Sequence, residues 1–293
     1  MDFTIENEYL KVTVTSAGAQ LKSVLRKSDN VEHMWQADPA VWGSHAPILF
    51  PHTGRLKDGK MIAKGQTIEN CTPHGFARGM EHELVVKNKD TLVLQLTDSP
   101  ETLAKWPYKF RLLSSFVLDQ DVLHHTLTVE NRDQEEMPFG IGFHPAFALP
   151  FDDQHTYEDY ELRFDKLESP LCMETLPKGL ITGNTYYLGK NLNAIALDDQ
   201  LFANDSHCMV GLHSDTLGLY EKDSGRAVVC SIKSFPYCLL WSKPGVPKFV
   251  CIEPWMSLPS PEAGGYEWSE KPAAAILAPG ESYSTTMSTA FVR

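Results

Sequence analysis

The chain has 293 residues, 42% of them hydrophobic and 22% charged, with a formal net charge of −12. That composition suits a globular protein with a sizeable core, and no basic stripe is present to neutralise a nucleic-acid backbone. No apolar run reaches the roughly 18 residues of a membrane span, the opening MDFTIENEYLKVTV does not read as a signal peptide, and the six cysteines include no CxxC pair. A cytoplasmic protein with reduced thiols, no structural zinc, no nucleic-acid partner and no membrane is therefore expected.

Period two dominates the chain. In YLKVTVTSA, Leu10, Val12 and Val14 share one face. PILFPHTGRLKDG (47–59) reads as an apolar strand that breaks at Pro51, followed by His52 and Arg55. TPHGFARGMEHE (72–83) sets His74 on a Pro-His-Gly corner with Arg78 close behind. LVLQL (92–96) alternates again, and PETLAKW (100–106) predicts one or two helical turns. Two alternating runs then flank DQD at 119–121, with Phe110, Leu112, Ser114, Phe116 and Leu118 followed by Leu123, His125, Leu127 and Val129. They predict a long antiparallel hairpin with one buried face. The stretches 209–233 and 273–292 repeat the theme, with turns at DSG (223–225) and PGE (279–281). No linker, repeat or charge block divides the chain. The fold class expected is all-β, a single large antiparallel β-sandwich over residues 1–293, whose chemistry gathers on one concave sheet face.

Two stretches are chemically odd. In GIGFHPAF (140–147), Gly140 and Gly142 imply a close approach to the backbone, and Pro145 edges the strand, so His144 is expected at a rim. In FVCIEPWMSLPSP (249–261), Glu253 follows four apolar residues at the end of a buried strand. A carboxylate there costs several kcal/mol unless it is paired, protonated or functional. Trp241 in YCLLWSKPGVPKF precedes the loop that leads into this strand. A carboxylate and histidines on separate strands suit general acid–base chemistry. A metal site is the less favoured reading: His124 and His125 are adjacent, so they point to opposite faces, and His52, His74, His144 and Glu253 follow no metal-ligand spacing.

The set GRL (54–56), HGFAR (74–78), GFHPAF (142–147) and IEPW (252–255) resembles the aldose 1-epimerase, or galactose mutarotase, superfamily, and within it the LacX-type branch. The motifs match in order over essentially the whole chain. The resemblance implies a galactose mutarotase-like supersandwich that acts on a small-molecule sugar with no cofactor. It implies Glu253 as general base on the anomeric hydroxyl and His144 as general acid on the ring oxygen, exchanging roles on reclosure. It also implies that His74, Arg55 and Arg78 hydrogen-bond the sugar. An aspartate is implied too, with Asp199 favoured and Asp198 and Asp205 open. Phe143 stands where galactose mutarotases carry asparagine, which puts galactose itself in doubt. Lys243 and Lys248 are positional candidates for a sugar phosphate. A non-catalytic carbohydrate-binding or regulatory protein with the same pocket is the competing reading, and a metal-dependent sugar isomerase a third. No heptad or isologous patch sets an oligomeric state, so monomer and dimer both stay open.

Overall fold

Alternation decides where each strand buries its side chains. The computed structural model describes every residue except 176, 177, 199, 246 and 247. Strands Phe110–Asp119 and Val122–Asn131 form the expected hairpin, with Phe116 opposite His125 and Leu112 opposite Val129. Their even-numbered and odd-numbered residues respectively are the buried ones. His125 bonds Ser114 at 2.8 Å on the buried face, while His124 bonds Ser288 at 2.8 Å on the other. The short helix also forms, over Pro100–Lys105, with Ser99 accepting from the Thr102 amide as its cap.

This hairpin sits within a nine-stranded sheet that runs from Leu192–Ala196 at one edge to Glu83–Lys87 at the other. A second sheet of eight strands includes His207–Val210, Tyr237–Trp241, Phe249–Trp255, Gly142–Phe143 and Ile48–Leu49 in that order, with Ala146–Ala148 also pairing to Phe249–Trp255. A four-stranded sheet formed by residues 2–32 adds Leu10, Val12 and Val14 to the core, all fully buried. Every strand-to-strand pairing in these sheets is antiparallel.

The main apolar core draws Leu112, Phe116, Leu127, Leu219 and Phe291 from the larger sheet and Ile48, Phe143, Leu240, Val250 and Ile252 from the smaller. Strand Phe249–Trp255 is buried along its whole length. Its even residues Val250 and Ile252 enter the main core, while Phe249 and Cys251 join one small cluster and Trp255 another on the opposite face. Glu253 falls between those two small clusters by the same period of two. All six cysteines are free. Among the described residues, no helix is long and apolar enough to cross a membrane.

Candidate active site

The strand register brings together the two residues that the sequence made odd. Gly142 pairs with Trp255 and Ala146 with Cys251. Both pairs belong to one antiparallel register, which sets residue 144 opposite residue 253. Side chains of such directly opposed residues meet on one face of the sheet. The His144 Nε2 atom lies 3.4 Å from Glu253 Oε2. His144 is only 7% exposed and Glu253 2%, so the histidine lies on the floor of a cleft rather than at a rim. Two causes bury it. Strand pairing continues on both sides of Pro145, and the Trp42 ring stacks on the imidazole at 5.2 Å between centroids. Trp241 meets the same imidazole edge-on at 5.7 Å.

The glycines beside His144 make room for protein. A Cβ on Gly142 would lie 2.9 Å from the Trp255 ring, and one on Gly140 would overlap the Ser257 hydroxyl. Phe143 faces away from the cleft into the main core, against His125 and Phe235. Glu253 lies inside its strand, which runs on through Pro254 to Trp255.

A cleft of about 300 Å³ opens over the pair, bordered by Trp42, Arg55, His74, Arg78, Asp205, Trp241 and Trp255 among others. His74 comes from the loop before the short 3₁₀ helix Ala77–Gly79, which carries Arg78. His74 holds φ of +69°, a left-handed conformation uncommon for a non-glycine residue. The next residue, Gly75, is also left-handed, and a Cβ there would collide with the Phe50 carbonyl. Two bonds fix the corner: the His74 amide donates to the Gly54 carbonyl at 2.8 Å, and the Gly54 amide donates to His74 Nδ1 at 3.1 Å. Because Nδ1 accepts, the neutral ring carries its proton on Nε2 and has one N–H to donate. The two imidazoles stand edge to face at 5.3 Å. Arg78 donates to the Ser44 hydroxyl at 3.0 Å, and Arg55 packs its side chain over Gly179.

Electrostatics favour an uncharged pair. Burial, reinforced by the negative charge of Asp205, pushes the Glu253 carboxyl well above the usual carboxylate range, against the opposing pull of Arg78. Burial, with His74 and Arg78 adding, pushes His144 well below the ordinary imidazole value. His74 is driven down to about 3 by burial and by the two arginines. Burial thus favours a protonated Glu253 beside an unprotonated His144. Trp255 sits near enough to bias Glu253 toward its charged form, yet its indole N–H meets no acceptor in hydrogen-bonding geometry.

The other expected positions divide. Asp199 lies outside the described residues. Asp198 accepts from the amides of Gln200 and Leu201 at 2.8 Å and so closes its own turn. Asp205 borders the cleft. Lys243 and Lys248 are exposed and do not line the cleft. His52 is buried against Trp268, away from the lining of this cleft. Sequence reasoning did not pick Trp42 or Thr175, which also border the cleft. Trp42 had one signal, a tryptophan in a segment without strand alternation. There its carbonyl accepts the Trp35 indole N–H at 2.8 Å. Thr175 had none.

Two clusters among the described residues bring metal-ligating atoms within 4.8 Å of one another: His144 with Cys251 and Glu253, and Asp152 with His155 and Glu221. The second is already occupied by a cation of the protein, since the Arg226 guanidinium donates to both Glu221 and Asp152.

The model of the aldose 1-epimerase family matches residues 1–290. The LacX protein of Lactococcus lactis subsp. lactis, in its plasmid form, is 32% identical over 287 residues, with 95% of each chain covered. The solved structure of a galactose mutarotase related enzyme from Lactobacillus acidophilus is 31% identical, with a TM-score of 0.95 over 100% of this chain and 98% of that one. A galactose mutarotase-like protein from Lactobacillus casei is 27% identical, with a TM-score of 0.91 over 99% of each chain.

Proposed function

The chain belongs to the aldose 1-epimerase family, and from that premise we propose that its cleft binds a free aldose and interconverts the α and β anomers. One observation carries this reading: a carboxyl group and an imidazole 3.4 Å apart on the cleft floor. Two groups so close address two oxygens on one carbon, and the anomeric carbon is where a cyclic sugar has both a hydroxyl and the ring oxygen.

The pair carries one proton between them. Glu253 as carboxylate takes the proton of the anomeric hydroxyl while His144 as imidazolium protonates the ring oxygen, and the C1–O5 bond breaks to give the open aldehyde. Rotation about C1–C2 and reversal of both transfers close the other anomer. Catalysis starts from the ionic form of the pair, whereas burial favours the neutral form at rest. Binding of the sugar must therefore move the proton from Glu253 to His144. Arg78 favours the carboxylate half of that transfer and opposes the imidazolium half. A proton donor and acceptor held this way contribute about 10²–10⁴ in rate.

The remaining groups bind. Arg55, Arg78 and the Nε2–H of His74 donate to sugar hydroxyls. Asp205 accepts from them, in the role first given to Asp199. Trp42 and Trp241 offer apolar ring faces to the C–H surfaces of the sugar. Lys243 and Lys248 do not line the cleft and take no part in holding the sugar. Six unbridged cysteines suit a reducing compartment, and we assign the chain to the cytoplasm.

Saturation-transfer NMR between anomers of glucose, galactose and glucose 6-phosphate tests the reading. Exchange catalysed by the wild type and abolished in Glu253→Gln supports it. Sugar binding without any exchange refutes turnover and leaves a carbohydrate-binding protein.

A further inference from the structure

Beside the acid–base pair lies a thiol that proton transfer does not use. Cys251 and Glu253 are two residues apart on one strand, so their side chains share a face, and His144 reaches that face from the neighbouring chain segment. We propose that His144, Cys251 and Glu253 form a binding site for a soft divalent cation, zinc above all, which closes the cleft to sugar chemistry while it is bound.

The geometry fits. One ligand atom from each of the three residues lies within 4.8 Å of the other two. Nitrogen and oxygen ligands about 2.0–2.1 Å from a tetrahedral zinc stand about 3.4 Å from each other, and His144 Nε2 and Glu253 Oε2 are 3.4 Å apart. His144 and Glu253 on the floor, with Cys251 beneath them, leave the fourth position facing the open cleft, the arrangement of an accessible zinc site. The donor set decides the class of ion: sulfur and imidazole nitrogen select zinc and its softer relatives, whereas magnesium and calcium require oxygen cages.

Charge balances as well. On binding, the thiol proton of Cys251 and the single proton of the His144–Glu253 pair leave to solvent. One thiolate and one carboxylate then neutralise the dication in a place where all three ligands are buried, at 7%, 0% and 2% exposure for His144, Cys251 and Glu253. Cys251 itself sits below the cleft surface in a small cluster with Trp35, Ala146 and Phe249, so an ion can bind only from the sugar side. This differs from a metal-dependent isomerase, because here the ion occupies the groups that chemistry needs. The inhibitory consequence rests on the anomer-exchange reading; the binding site does not.

The test uses the full chain, stripped with chelator, and titrates Co²⁺ and then Zn²⁺. A tetrahedral ligand-field spectrum with a thiolate-to-cobalt charge-transfer band is expected at one ion per chain. In Cys251→Ser and Cys251→Ala that band is lost, and zinc affinity falls on the order of tenfold or more. A wild type without the band overturns the proposal. So does a band or a zinc affinity unchanged in the cysteine variants, which would mean an adventitious ion only. Should both variants fail to fold, His144→Asn decides by the same affinity measurement. The spectrum needs no turnover, so failure of the anomer-exchange reading leaves it standing. Where exchange is observed, zinc should suppress it and chelator restore it; activity lost on chelation alone overturns the inhibitory role.

Discussion

The hairpin Phe110–Asn131 and the strand pair Tyr237–Trp241 and Phe249–Trp255 are both antiparallel, but they occupy opposite environments. Along the hairpin, buried residues alternate with residues that keep contact with solvent, and each exposed side chain needs only to be soluble. Strand Phe249–Trp255 has no solvent face: one side is the sandwich core and the other is the floor of a cleft. A polar group on the hairpin's outer face is inexpensive. A carboxyl group on the cleft strand costs several kcal/mol unless its surroundings compensate, and those surroundings shift its pKa. The same period of two therefore yields scaffold in one place and tuned chemistry in the other.

The sharpest way to break this comparison is at Glu253. Glu253→Gln keeps size and removes the titration, so anomer exchange should fall by about 10²–10⁴, while sugar affinity measured by calorimetry changes much less. An equal loss in both would make Glu253 a binding group only. On the scaffold side, Leu127 is fully buried in the hairpin, and Leu127→Ala should cost about 2–5 kcal/mol in denaturant unfolding with the exchange rate per folded molecule unchanged.

Lys271 extends the contrast to another buried ionisable group. It is 8% exposed, donates to the Leu258 carbonyl, and burial pushes its pKa from 10.5 down to about 7. Between those two values the unfolded chain holds a proton that the folded chain lacks, so stability rises with pH across that window. Lys271→Met removes the burial penalty and loses one hydrogen bond. Thermal unfolding should show the variant gaining stability relative to wild type most clearly below pH 7, with the gain shrinking as pH approaches 10. A difference independent of pH would contradict the depressed pKa. The smallest effect belongs to the hairpin's outer face. Thr128 bonds Ser284 there at 2.8 Å between exposed side chains, and Thr128→Ala should move stability by less than about 0.5 kcal/mol.

Much of the molecule was legible in its residues. Alternation in 110–131 revealed the hairpin and its buried face, because side-chain direction in a strand depends only on position. PETLAKW has a proline in its first turn and follows directly on Ser99, the residue that caps it. The apolar run before Glu253 marked the strand buried on both faces, and the family motifs GRL, HGFAR, GFHPAF and IEPW tied four distant stretches to one site.

What the residues could not specify was the geometry between those stretches. His144 and Glu253 are far apart in sequence, and only the pairing of Gly142 with Trp255 and Ala146 with Cys251 sets them face to face. Trp42 lies in a segment with no periodicity, so its place over the imidazole depends on how that loop packs across the finished sheet. Of the three candidate aspartates, Asp198 caps its own turn and Asp205 borders the cleft, while Asp199 lies outside the described residues. Local pattern fixed which face of each strand is buried, since that face follows from spacing along one strand. Tertiary structure alone decided which buried groups meet, since proton transfer and metal binding depend on distances between strands that no single strand encodes.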